Sequence, residues 1–177
     1  MSSRGKDSAA MLERVLQIER EGVSFFEKAH VLVGDPRVRE VFDKLAEAKR
    51  EQLRSLEESL RALNVPATAK DDRKSLAYPL ADFEKAECYV CGYSTGLKEI
   101  PESCPRCGAS RYAFEKEVSF RRAWEIAEEG SDSALKILGE AEKDAEPTVK
   151  HILAEQISFE QKLLDEARRQ LEQAKKV

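Results

Sequence analysis

The chain has 177 residues, of which 36% are charged and 7% aromatic, with a formal net charge of -4 at pH 7. That length suits one ordinary domain plus a small module, and the composition fits long amphipathic helices better than a β-sandwich. Acidic and basic residues are interspersed and no apolar run approaches a membrane span, so the sequence offers no nucleic-acid-binding stripe, no polybasic patch and no membrane-spanning helix.

The first ten residues are small and polar and are expected to fray. They carry no signal-peptide pattern, so a reducing cytoplasm is the expected compartment. From Met11 to about His30 the residues Leu12, Val15, Leu16, Glu19, Val23, Phe26 and Ala29 recur at helical spacing and predict a first helix. Gly34-Asp35-Pro36 then interrupts the pattern, with Asp35 suited to cap and Pro36 to open the next helix. A second helix is predicted to about Leu63, with Val38, Phe42, Leu45, Lys49, Gln52, Leu56, Leu60 and Leu63 inward. Val65-Pro66 stops it, and residues 65–85, which include Pro79, read as a linker of weak structure.

All four cysteines follow the linker. Cys88 and Cys91 form one C-x-x-C knuckle, Cys104 and Cys107 a second, and each closes on a glycine, Gly92 and Gly108. The glycine allows the tight turn that turns backbone N–H groups toward the sulfurs. Two such knuckles make a tetrahedral four-sulfur site suited to one zinc or iron ion. Two disulfides are the competing reading, disfavoured by the spacing and by the expected compartment. A module of residues 86–117 is too small to fold without its metal.

Ser119 to about Ala145 predicts a third helix, with Trp124, Ala127, Ser131, Ala134, Leu138 and Ala141 inward. Gly130 inside it costs about 1 kcal/mol relative to alanine and implies close packing against a neighbour. Pro147 opens a fourth helix to about Ala174, with Val149, Leu153, Gln156, Glu160, Leu163, Leu164, Ala167 and Leu171 inward. The Asp35-Pro36 and Glu146-Pro147 junctions repeat one pattern. The chain therefore divides into a helical hairpin over 11–64, the linker, the four-cysteine module and a second hairpin over 118–175. Two hairpins joined by one long connection describe an all-α, ferritin-like four-helix bundle with a small domain inserted.

Cys-x-x-Cys-Gly-Tyr, a short loop with Gly96 and Pro101, Cys-Pro-x-Cys-Gly and then Phe114 together resemble the rubredoxin-like domain of rubrerythrins. It departs from that pattern before Cys88, where Ala86 and Glu87 stand in place of an aromatic residue. Glu19-Arg-Glu-Gly22 followed by Phe25-Phe26, and Leu45 to Leu53, resemble the first two helices of the same family, in which the module usually lies at one end. The resemblance implies iron rather than zinc at Cys88, Cys91, Cys104 and Cys107, one ion per chain, and single-electron transfer. It also implies a homodimer and a redox partner protein.

The family's bundle holds two irons on one glutamate from each of two helices and a Glu-x-x-His pair from each of the other two. Carried over position by position, those ligands fall on Glu19, Lys49, Gln52, Ser131, Glu160 and Leu163, so two of the six survive. Both imidazoles are lost and Lys49 puts a positive charge where a cation would lie. The expectation is a degenerate site with no catalytic residue, in which Lys49 sits between Glu19 and Glu160 as a buried ion cluster. The two histidines, His30 and His151, lie in no Glu-x-x-His frame and read as structural or surface residues. Three functions follow as alternatives: one-electron transfer through an iron held by four sulfurs, peroxide reduction of the rubrerythrin type, and a non-catalytic interaction module stapled by zinc.

Overall fold

The computed structural model describes residues 3–64, 78, 85–115, 118–143 and 145–174, and the side chains from residue 11 onward. Four helices form the body: α1 (Ser3–Leu32), α2 (Pro36–Ala62), α3 (Phe120–Lys143) and α4 (Pro147–Ala174). At about 1.5 Å per residue the 27 residues of α2 span roughly 40 Å. α1 packs on α2, and α3 on α4, as two hairpins, with α2 also meeting α3 and α4. None of the helices is long and apolar enough to cross a membrane.

The helix starts are built as the two repeated junctions predict. Asp35 caps α2 by accepting from the Arg37 N–H at 2.8 Å, and Pro36 opens the first turn. The Arg39 N–H reaches the Asp35 carbonyl at 2.9 Å, and the Lys150 N–H reaches the Glu146 carbonyl at 2.8 Å in the matching place before α4. Of the first ten residues, expected to fray, residues 3–10 are helical and form the start of α1. Once the apolar turns from Leu12 onward nucleate a helix, each added residue needs only propagation, which is cheap even for small polar residues. The linker expected over 65–85 lies outside the described residues except for Tyr78 and Lys85.

The inserted module is a small antiparallel sheet ordered β2-β1-β3, made of β1 (Lys85–Cys88), β2 (Ser94–Gly96) and β3 (Phe114–Glu115). Ala86 pairs with Thr95, and Cys88 with Phe114. Its core is Ala86, Cys88, Cys104, Ala113 and Phe114, with Tyr93 edge-on to Phe114 at 6.3 Å. Ala86, the small residue before the first knuckle, is fully buried in that core.

Two apolar clusters fill the bundle, one around Phe25, Phe26, Phe42 and Trp124, the other around Leu12, Leu16, Leu56, Leu138 and Leu153. Between them lies a buried polar layer of Glu19, Lys49, Gln52, Ser131, Gln156 and Glu160. In α2 the order is Phe42 and Leu45, then Lys49 and Gln52, then Leu56 and Leu60, and α4 runs through the same sequence in reverse. Trp124 packs in the first of these clusters with its ring 6.4 Å from Phe120.

Candidate metal centre and the polar layer of the bundle

Each knuckle is a tight turn closed by hydrogen bonds to the carbonyl of its first cysteine. The N–H groups of Cys91 and Gly92 reach the Cys88 carbonyl at 3.2 and 2.8 Å, and the Gly108 N–H reaches that of Cys104 at 2.8 Å. Gly92 and Gly108 have φ of 71° and 77°, the left-handed region in which a side chain is strained, which is why glycine follows the second sulfur of each pair. Arg106 ties the knuckles together by donating to the Cys91 carbonyl at 3.1 Å.

The four sulfurs all lie within 4.8 Å of one another, and the cysteines are free. Across the knuckles Cys88 stands 3.8 Å from Cys107, and Cys91 3.5 Å from Cys104. An ion about 2.3 Å from each sulfur of a regular tetrahedron requires sulfurs about 3.8 Å apart. The donor set and its spacing therefore fit one tetrahedrally held ion, and the disulfide reading is set aside. Backbone amides favour the thiolates: burial opposes ionisation of Cys104, but the Arg106 and Cys107 N–H groups and sulfur neighbours bring it down to about 7. Burial pushes Cys91 up to about 12, against the pull of the Tyr93 N–H.

A polar contact joins the module to the start of α3. Ser119 caps α3 by accepting from the Arg122 N–H at 3.0 Å, and its hydroxyl donates to Glu87 at 3.1 Å. Glu87 is half-buried there, and burial raises its carboxyl above the usual range. Glu87, one of the two residues at which the resemblance breaks before Cys88, thus links the module to the start of the helix.

Inside the bundle, Lys49 Nζ donates to Glu19 at 3.1 Å and to Glu160, with all three side chains fully buried. Gln52 adds a hydrogen bond from Nε2 to Glu19 at 3.1 Å. Burial alone would lower Lys49, but the attraction of Glu160 and Glu19 outweighs it and keeps the ammonium charged. Burial pushes Glu19 up to about 7, with Lys49 pulling the other way. Ser131 is buried on α3 in the same layer, whereas Leu163 is only half-buried beside the inward Leu164. Neither histidine joins the layer. His30 Nδ1 lies 3.3 Å from the Arg39 carbonyl near the end of α1, and the exposed His151 stands 3.4 Å from Glu155.

Tyr78 completes the layer and was not legible as a site residue in the sequence. Its buried ring lies 5.4 Å from both Phe25 and Phe26, and Lys49 Nζ sits 5.7 Å from its centroid, within cation–π range. The ring rests on Gly22 and Gly130, two helix-interior glycines that were the available signal.

The geometry of residues 85–115 defines a small metal-binding domain built on four cysteines. Residues 87–115 match the family model described as the rubredoxin-like domain of rubrerythrin. The match covers the module and not the helices. Comparison of the chain with curated proteins gives no match, and neither does comparison with solved structures.

Proposed function

We propose that this chain is a rubrerythrin-like electron-transfer protein whose Cys88, Cys91, Cys104 and Cys107 hold one iron. The four sulfurs at tetrahedral spacing within a rubredoxin-like domain carry this reading. Bound iron would supply a ferrous–ferric couple. The residues of the chain set its surroundings: the Tyr93, Arg106 and Cys107 amides donate to the sulfurs, and such donors stabilise a charged cluster of thiolates. Cys107 is exposed, and Tyr89, Val90 and Tyr112 around the module are 67%, 56% and 90% exposed. An apolar rim beside an accessible sulfur suits brief docking of a redox partner protein, and no such rim is needed for a purely structural metal.

The bundle acts in this reading as a ferritin-like scaffold and homodimer surface in the cytoplasm, with the Glu19–Lys49–Glu160 cluster in place of a two-iron centre. Peroxide reduction is the weaker reading, because an ammonium bonded to both surviving carboxylates occupies the place a cation would need.

Metal content with a visible absorption spectrum, on protein made in iron-rich medium, tests the proposal. One iron per chain with thiolate-to-iron bands is the expected result. About three irons would favour the peroxidase reading, and a colourless protein holding only zinc would favour the stapled module.

A further inference from the structure

The second knuckle carries a cation that reaches across to the first. Arg106 lies between Cys104 and Cys107, and its backbone N–H donates to the Cys104 sulfur. Its side chain crosses the gap, with Nη1 donating to the Cys91 carbonyl at 3.1 Å. Cys91 and Cys104 are the residues whose sulfurs stand 3.5 Å apart across the knuckles. Arg106 therefore bridges that pair from outside, by its main chain on one side and its side chain on the other.

No carboxylate answers its charge among the described residues. Other guanidiniums about the module are answered. Arg111 is bonded to Glu102 at 2.6 Å, and Arg121, in the recess beside Cys91, to Glu125 at 2.9 Å. Glu87 and Glu115 line the same recess, so that side of the first knuckle brings no surplus of positive charge. Four thiolates around ferrous iron or zinc carry one more net negative charge than the same four around ferric iron. A fixed positive charge beside them favours the more negative state.

We propose that Arg106 is a positioning residue of the four-cysteine centre. By bridging Cys91 and Cys104 it brings an unpaired guanidinium against the thiolates, and so favours the ferrous over the ferric state of a bound iron. The centre gains one electron from the redox partner protein, and no bond forms or breaks. For the iron couple this inference rests on the electron-transfer reading. The same charge also tightens the hold on zinc, and that consequence does not rest on it.

Potentiometric titration of the full iron-loaded chain is the test, comparing the wild type with Arg106→Gln, Arg106→Lys and Arg111→Gln. Arg106 and Arg111 are exposed, so these changes leave the module core intact. Arg106→Gln is expected to lower the reduction potential by about a threefold or larger change in the ferric–ferrous equilibrium, about 28 mV or more. Arg106→Lys keeps the charge and should recover most of that shift. Arg111→Gln removes an equal charge that Glu102 already answers, and should shift the potential by less than half as much. Competition for zinc against a chelator reads the charge without iron, and Arg106→Gln is expected to weaken zinc binding about threefold or more, with Arg106→Lys restoring it. An unchanged potential or zinc affinity in Arg106→Gln, a lysine variant no different from it, or an equal shift in Arg111→Gln would each overturn the proposal. A chain that takes up no iron, while Arg106→Gln still weakens zinc binding, would overturn the electron-transfer reading and support the placing of the charge.

Discussion

The ring of Tyr78 covers Gly130 so closely that a Cβ there would stand 2.6 Å from Tyr78 Cε1. On α1 a Cβ at Gly22 would stand 3.0 Å from Tyr78 Oη. Two helices thus keep glycine at interior positions, each at about 1 kcal/mol of helix propensity, so that one aromatic ring can sit between them. Gly130→Ala is expected to destabilise the protein by about 1–3 kcal/mol, because the clash with backbone-anchored Cβ exceeds the gain in propensity. In a Tyr78→Ala background the same change should be neutral or stabilising. Urea unfolding of the two single variants and the double variant measures the coupling, and additive effects would show that the ring yields without cost.

Glu19 gives stability a pH dependence of known sign. Its folded-state value of about 7 lies above the ordinary 4.5, with burial the largest cause. Between those values the folded chain keeps a proton that the unfolded chain has lost. The contribution is therefore full below about pH 4.5 and is lost as pH rises through about 7. Glu19→Gln cannot ionise, and its advantage over the wild type should grow across that window to at most about 3 kcal/mol above pH 7. Urea midpoints of both proteins from acid to mildly alkaline pH provide the check. Parallel curves would mean that Glu19 stays ionised in the fold.

Helical periodicity made most of the polar layer legible. A residue at spacing of three or four from apolar neighbours faces the same way as they do, whatever its chemistry, so Glu19, Lys49, Gln52, Ser131, Gln156 and Glu160 could be placed inward. Leu163 is the exception, since the adjacent Leu164 takes the inward position and one residue turns the side chain by about 100°. The four-cysteine site was legible because its spacing carries its own chemistry. Tyr78 was not, since its segment has no period and its place is set by contacts far away in sequence. Glu87 likewise read only as a departure from a pattern, and its link to the Ser119 cap exists only once the module meets α3.

Metal removal should separate the module from the bundle. The module's core of Ala86, Cys88, Cys104, Ala113 and Phe114 includes two of the sulfurs themselves, so little apolar burial remains without the ion. Chelation, or Cys104→Ser, is expected to remove amide protection across 85–115 while far-ultraviolet circular dichroism keeps most of its helical signal. The first turn of α3 should lose protection as well, because Glu87 would no longer hold Ser119. Hydrogen exchange with and without metal measures this. Loss of protection throughout the four helices would show that module and bundle fold as one unit.

Rebuilding a two-metal centre tests the register assigned to the polar layer. Lys49→Glu and Ser131→Glu bring the buried carboxylates to four, beside Glu19 and Glu160, and Gln52→His and Leu163→His supply the two imidazoles. Lys49→Glu also removes the ammonium that now bridges the two existing carboxylates. Tyr78 is the expected obstacle, because its ring lies against Gly22 and Gly130 beside the Lys49 side chain. The fourfold variant is therefore expected to take up additional iron poorly, and the same variant with Tyr78→Ala to take up two irons beyond that of the four-cysteine site. Metal analysis of both folded proteins decides between these outcomes. Two further irons in the variant that keeps Tyr78 would show that the ring does not occupy the site. No further iron in the variant that lacks it would show that these six positions do not converge as the register requires.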